Sequence, residues 1–342
     1  MQAGIEGGLH IVMNVERTDV HIRSTRPLQA INQLLQGKTM DQALALIPLL
    51  FHVCGTAHGL AALKANAALF NKPIDPEHYA ALQDLVALET GREQVQRILL
   101  DWSAWRGLKP ELSVIREAMQ FLTTAKQTWF KAGNVFRADS ELLQTKAQRE
   151  WLKQRWRQYL EQHIFAVSLE RFQAFNRDDL QTWIHQAETI PAHALRRLKE
   201  KDWGGLGANS LVPELENSVL ARQVQQPLIQ QVLREFGNGV LSRWLALLLE
   251  LVRGTTEVDD HAVPAARGNL RHQVALDANQ FIQCYSILAP TEVNFANDGV
   301  VAAGLKALCR SRPLEDLKDR ANLWIQAVDP CVSYTLEIQT HA

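Results

Sequence analysis

A chain of 342 residues, 46% of them apolar and 21% charged, has enough hydrophobic side chains for a sizeable core, as one large domain or two ordinary ones. Its 36 Lys and Arg against 37 Asp and Glu leave a net charge of -1, which excludes capture of nucleic acid or anionic lipid by bulk electrostatics. The longest apolar run, residues 241–252, is interrupted by Arg243 and Glu250 and is too short for a membrane span, and residues 1–13 lack the basic start and apolar core of a signal peptide, so a cytoplasmic protein is expected.

Taken in chain order, Leu9, Ile11, Met13 and Val15, then Val20 and Ile22, alternate with polar residues around positions 16–19, which predicts a hairpin half-buried on one face. Thr25-Arg26-Pro27 breaks the strand. Leu28, Ile31, Leu34 and Leu35 share a helix face with Gly37 as C-cap, and a second short helix is expected at about 40–50. Cys54 then sits just before or within the first turn of a helix that includes residues 57–69. A helix N-terminus favours negative charge, so a lowered thiol pKa is expected there.

Residues 76–252 are helical in pattern, with breaks at 107–110, 131–134, 203–209 and 237–239. Trp151, Trp156 and Tyr159 among basic residues suit base stacking beside phosphate contacts, but aromatics at helical spacing read better as core. Trp203-Gly204-Gly205-Leu206-Gly207 follows no strand and lacks a P-loop lysine, so it is a loop. Beyond Pro264, Leu270, His272, Val274 and Leu276, then Phe281, Gln283, Tyr285 and Ile287, alternate around 277–280 as a second hairpin. Helices at about 298–309 and 313–327 lead into Asp329-Pro330-Cys331. With no internal repeat and no low-complexity linker, one α-rich domain is expected, mainly α with small β-hairpins (α+β).

Four widely spaced cysteines without a CxxC pair suit reduced thiols, not a disulfide frame or zinc knuckle. Cys284 and Cys309 fit no motif and read as structural. Cys54 and Cys331 come from opposite chain ends; if they meet, two thiolates can hold a soft metal, and if not, they are separate buried thiols.

Short stretches around these cysteines stand in a recognisable order: Gly4-Ile5-Glu6-Gly7-Gly8-Leu9, His52-Val53-Cys54-Gly55, Ala266-Arg267-Gly268-Asn269-Leu270-Arg271-His272 followed by Pro290-Thr291-Glu292-Val293-Asn294, and Asp329-Pro330-Cys331. Together they resemble the large subunit of nickel-iron hydrogenases. Its corresponding segments read Arg-Ile-Glu-Gly-His-Leu, Arg-x-Cys-Gly-x-Cys, Pro-Arg-Gly-x-Leu-x-His with Pro-Thr-Thr-Trp-Asn, and Asp-Pro-Cys-x-x-Cys-x-x-His. The resemblance implies a shortened large-subunit-like fold over residues 1–342, with both termini meeting at a metal site.

In that family four thiolates bind nickel, and the second of each pair bridges to an iron carrying cyanide and carbon monoxide. Here Ala57 and Tyr334 stand at the bridging positions by ungapped spacing, and Glu337 replaces the terminal histidine. A three-residue deletion after Gly55 instead aligns His58 with the motif's histidine; the second cysteine is missing either way. His58 is a candidate third ligand, or a helix histidine with an ordinary partner. Two cysteines cannot build a tetrathiolate nickel site, so hydrogenase activity is not expected.

The resemblance also implies that Arg267 and Thr291 match the residues that hydrogen-bond the two cyanides, with Pro290 shaping the same pocket; the residue reading alone allows Arg267 as a surface or capping arginine. Glu6 matches the proton-relay glutamate, or only closes a turn between glycines. A cyanide pocket without a nickel site resembles the accessory proteins of the HupK/HoxV type. That implies a non-catalytic scaffold holding iron with two cyanides and one carbon monoxide before transfer. Its partners would be maturation proteins of the HypC and HypD kind and the large-subunit precursor. The alternative is a metal-free structural protein that keeps the fold as an interaction surface, with Cys54 and Cys331 too far apart to share an ion. The retained cysteines match terminal nickel ligands, so iron bound here would sit displaced from its hydrogenase position, or the cysteines would swing towards it.

Overall fold

The computed structural model describes residues 7–131, 133, 135–137, 140–255, 260–311 and 315–340. Among them, two three-stranded sheets form. One has the order β2-β1-β6, from β1 (Gly8–Asn14), β2 (Asp19–Ser24) and β6 (Ser333–Gln339); the other has the order β3-β4-β5, from β3 (Ala262–Ala265), β4 (Gly268–Leu276) and β5 (Ile282–Leu288). The first hairpin is antiparallel as its alternation predicts, with Leu9, Ile11, Met13, Val20 and Ile22 all buried.

β6 and β3 were not expected. β6 runs parallel to β1, Gly8 opposite Ser333 and Asn14 opposite Gln339. A parallel pair needs a crossover connection, and here almost the whole chain is that connection. The register has a local consequence. Thr25 closes β2 onto Gly8, its N–H donating to the Gly8 carbonyl at 2.9 Å and its hydroxyl oxygen accepting from the Gly8 N–H at 3.0 Å. Arg26 and Cys331 are thereby brought to one end of the sheet. Gly7 is required beside them: its φ is +72°, and a Cβ there would lie 2.4 Å from the Thr25 carbonyl oxygen.

The first helices form where expected: α1 (Leu28–Leu35), α2 (Met40–Leu50) and α3 (Gly55–Leu69). Gly37 takes a positive φ after α1 and donates its N–H to Ile282 of β5. Thr39 and Gln42 form a reciprocal capping box at the start of α2. The first half of α3, Gly55 to Leu63, is buried on every side. Small residues allow this: a Cβ on Gly55 would lie 2.5 Å from the Pro48 carbonyl oxygen of α2. Helix α4 (Pro76–Arg97), capped by Asp75, packs against α3.

The middle of the chain is helical, with breaks at 107–110, 203–209 and 237–239; residues 132 and 134 of the fourth expected break lie outside the described residues. Trp156 and Tyr159 are buried and stacked at 5.4 Å, while Trp151 is 66% exposed, so two of the three aromatics are core. The glycines of 203–207 form a packed loop.

Two further expectations need correction, and one more element was not expected. Helix Leu317–Val328 begins at Leu317, after Asp316 in a left-handed conformation, and not at Pro313, which lies outside the described residues. A short helix, Pro290–Asn294, follows β5. In β5 the inward residues are Ile282 and Tyr285, while Phe281 is exposed, because the β4–β5 register shifts at Ala275/Leu276 and breaks the simple alternation. No helix among the described residues is long and apolar enough to cross a membrane.

Candidate functional site

Cys54 occupies the position before the first turn of α3, and Cys331 lies in the link between helix Leu317–Val328 and β6. Both are half-buried and free. They line one cavity of about 80 Å³ together with Arg26, Pro27, Leu28, Ile31, Leu50, Phe51, Val53 and Val332. The opposite ends of the chain therefore supply the two thiols of one site. Cys284 is exposed on β5 and Cys309 is buried at a helix end, both away from this cavity.

The expected lowering of the Cys54 pKa is overturned. Glu89 of α4, 3% exposed, accepts the first amides of α3, from Thr56 at 2.8 Å and Ala57 at 2.9 Å. A carboxylate already occupies the end of the helix that would have favoured a thiolate. Burial, then the Cys331 sulfur and Glu89, push the Cys54 thiol well above its ordinary range, against a smaller opposing pull from Arg267 and Arg26.

Cys331 is held by Thr291, and the backbone just before it by Asp329. The Thr291 hydroxyl donates to the Cys331 sulfur at 3.1 Å, and its oxygen accepts the Cys331 N–H at 3.3 Å. Thr291 is buried in the helix Pro290–Asn294, which Pro290 opens with its fixed φ. Asp329 ends the preceding helix at φ +63° and pairs with Arg97 Nε at 2.9 Å and Arg267 Nε at 3.0 Å.

Arg267 is 5% exposed. Burial opposes its charge, but Asp329, the Cys331 sulfur and Glu93 more than offset that, so its pKa is raised and the guanidinium stays charged. Its Nη2 lies 3.7 Å from Glu93 and has no hydrogen-bond partner among the described residues. Gly268 next to it has φ +152° and sits against Asn217, which fixes the backbone at this point. Arg26 pairs with Glu292 and is almost as buried, its side chain 6% exposed. Burial again opposes the charge, and the Cys331 sulfur, Glu292 and the Cys54 sulfur together hold it.

His58 lies elsewhere. Its ring stacks flat on Phe51 at 3.5 Å, and its Nδ1 is 2.9 Å from His272 Nε2, whose own Nδ1 is 2.8 Å from the Tyr285 hydroxyl. Burial lowers both histidines, His272 to about 3 and His58 well below its ordinary value with His272 adding to the effect, so both rings are neutral. The structure gives His58 an ordinary histidine partner and does not bring it to the two sulfurs. No group of three or more His, Cys, Asp or Glu side chains among the described residues is placed to hold a metal ion. Glu6 lies outside the described residues.

No protein-family model matches the chain. It is 28% identical over 353 residues to the hydrogenase expression/formation protein HupK of Azotobacter vinelandii, covering 97% of this chain and 98% of that protein. It is 29% identical to HoxV of Cupriavidus necator, covering 92% of each, and 28% identical to HupV of Azotobacter chroococcum, covering 93% of this chain and 94% of that protein. The chain is a relative of the HupK and HoxV proteins. Among solved structures, a Ni-Fe-Se hydrogenase from D. vulgaris Hildenborough in the reduced state aligns over 92% of this chain and 93% of its own, with a TM-score of 0.62 at 12% identity. An NAD+-reducing NiFe-hydrogenase in the H2-reduced state aligns over 92% and 91%, with a TM-score of 0.57 at 13% identity. The α-rich fold is that of the nickel-iron hydrogenase large subunit.

In this HupK/HoxV relative, motif reasoning singled out Cys54, Cys331, Arg267, Thr291 and Pro290. It missed Arg26, which it treated only as part of a strand break. Asp329 was noted as motif and not as the partner of two arginines. Nothing local in Thr25-Arg26-Pro27 marks a site residue; the parallel register of β1 and β6 puts it there. Glu292 carried the one available signal, an acid where the hydrogenase segment has a second threonine.

Proposed function

We propose that this protein acts in hydrogenase maturation, as a non-catalytic scaffold that holds iron carrying two cyanides and one carbon monoxide before its transfer to a large-subunit precursor. Its relatives over nearly the whole chain are hydrogenase expression/formation proteins, which supports the maturation role. The observation that carries the finer reading is the shared cavity of Cys54 and Cys331 with buried guanidinium groups around it.

Two sulfurs with no third donor among the described residues suit an iron that brings most of its own ligands, and suit poorly a bare ion that needs four protein donors. The Nη2 of Arg267, without a hydrogen-bond partner among the described residues, is a donor of the kind a desolvated cyanide needs. The cavity is small, about 80 Å³. The iron's ligands would fill it and project from its mouth, which suits a temporary holder. Donors of the iron would be proteins of the HypC and HypD kind.

The alternative of a metal-free interaction protein is weakened by the common cavity of the two cysteines. Protein prepared without oxygen from cells making a hydrogenase is expected to contain iron and to show infrared bands of bound cyanide and carbon monoxide, with both lost in Cys54→Ala and Cys331→Ala. Metal-free protein from such cells would sink the scaffold reading.

A further inference from the structure

Arg26 is the charged residue in the lining of the cavity that Cys54 and Cys331 share. Arg267 is not part of that lining and is engaged by Asp329 and Glu93. Arg26 is paired with Glu292, whose second carboxylate oxygen is buried without a hydrogen-bond partner, so this carboxylate is incompletely satisfied. Both residues depart from what the hydrogenase segments supply: Arg26 lies in no matched segment, and Glu292 stands at a threonine position.

We propose that Arg26 is a specificity-determining residue of this site, receiving the negatively charged ligands of the load on the cavity side of the two sulfurs, while Glu292 holds the guanidinium in position before loading. The inference rests on the reading of the site as a holder of cyanide-bearing iron, and it names the group that selects such a load over a bare ion.

Charge balance separates the two kinds of load. When a bare divalent cation binds two thiols, two S–H bonds break, two metal–sulfur bonds form and two protons leave to water; the net charge of the site is unchanged. Iron(II) arriving with two cyanides and a carbon monoxide is itself neutral. Binding it breaks the same two S–H bonds and releases the same two protons, with no electron transferred, and the site gains two negative charges. Away from bulk water such charge is costly without a counter-ion. Arg26 provides one beside the sulfurs, and its planar fork of N–H donors suits the cyanide nitrogens.

Wild type, Arg26→Gln, Arg26→Lys and Cys54→Ala are compared in two measurements: Cd²⁺ titration of the metal-free protein, and iron content with cyanide infrared bands in protein from hydrogenase-making cells. Arg26→Gln is expected to bind Cd²⁺ within about threefold of wild type yet retain roughly tenfold less cyanide-bearing iron, a difference of about 1.4 kcal/mol. Arg26→Lys keeps the charge and is expected to recover part of the iron, with displaced cyanide bands because the fork is lost. Cys54→Ala should lose both loads. Equal iron retention in Arg26→Gln and wild type overturns the proposal, as does a parallel loss of Cd²⁺ and iron, which unfolding would give. Wild type without cyanide bands overturns the scaffold reading itself, and is told apart because no variant then carries them.

Discussion

Burial keeps the Cys54 thiol protonated at neutral pH, because its pKa in the folded protein lies well above the ordinary thiol value. Any metal that bonds to this sulfur must expel that proton, so affinity rises with pH, about tenfold per unit for each proton displaced. Cd²⁺ affinity of the wild type measured from pH 6.5 to 8.5 is expected to climb steadily. A flat profile in wild type would mean that the sulfur is already a thiolate and that the helix end, not burial, controls it. The motif identified this cysteine but mispredicted its chemistry, because Glu89, 35 residues further along, takes the amides that would have favoured the thiolate. Arg267 and Thr291 were legible because they lie inside recognisable segments. Arg26 was not, since its only link to the site is spatial.

At the scale of elements, α3 and β4 are tied by the His58–His272 pair, which also reaches Tyr285 of β5. Two neutral imidazoles in contact stabilise this junction only while neither is protonated. The sign follows from the depressed folded pKa values. Above the unfolded histidine value near 6.5 their contribution is fully present; as pH falls below it the unfolded chain takes up protons that the folded state refuses. Stability therefore declines on acidification by up to ~1.4 kcal/mol per pH unit for each ring, until His272 titrates in place at about 3. Urea unfolding between pH 7 and 5 is expected to show this slope, and His272→Gln to flatten it by one proton whatever its effect on absolute stability. An unchanged slope in that variant would place the acid sensitivity elsewhere. His58 and His272 were each visible in the sequence; their pairing was not, because it joins a helix to a strand more than 200 residues away.

Across the whole molecule, local periodicity revealed the helices of the middle and both hairpins, because each of those signals lies within a few consecutive residues. β6 escaped it for a physical reason. Tyr334, Leu336 and Ile338 alternate with polar residues and lean against the core, but a strand of seven residues is defined only by its partner, and that partner, β1, lies at the other end of the chain. Yet this pairing brings Cys331 to Arg26 and fixes the end of the sheet on which the candidate site is built. A chain ending at Val332 keeps the Thr291 contact of Cys331 and the ion pairs of Asp329 just before it, but loses the strand that follows, and leaves β1 with an open edge. Such a chain is expected to retain the helical signal of the core in circular dichroism and to bind Cd²⁺ at least roughly tenfold more weakly, since the link carrying Cys331 is then anchored on one side only. Removing residues 340–342 alone should change neither property. If the chain ending at Val332 binds Cd²⁺ as tightly as the full chain, then Asp329 and its two arginines suffice to place Cys331, and the union of the chain ends serves stability without building the site.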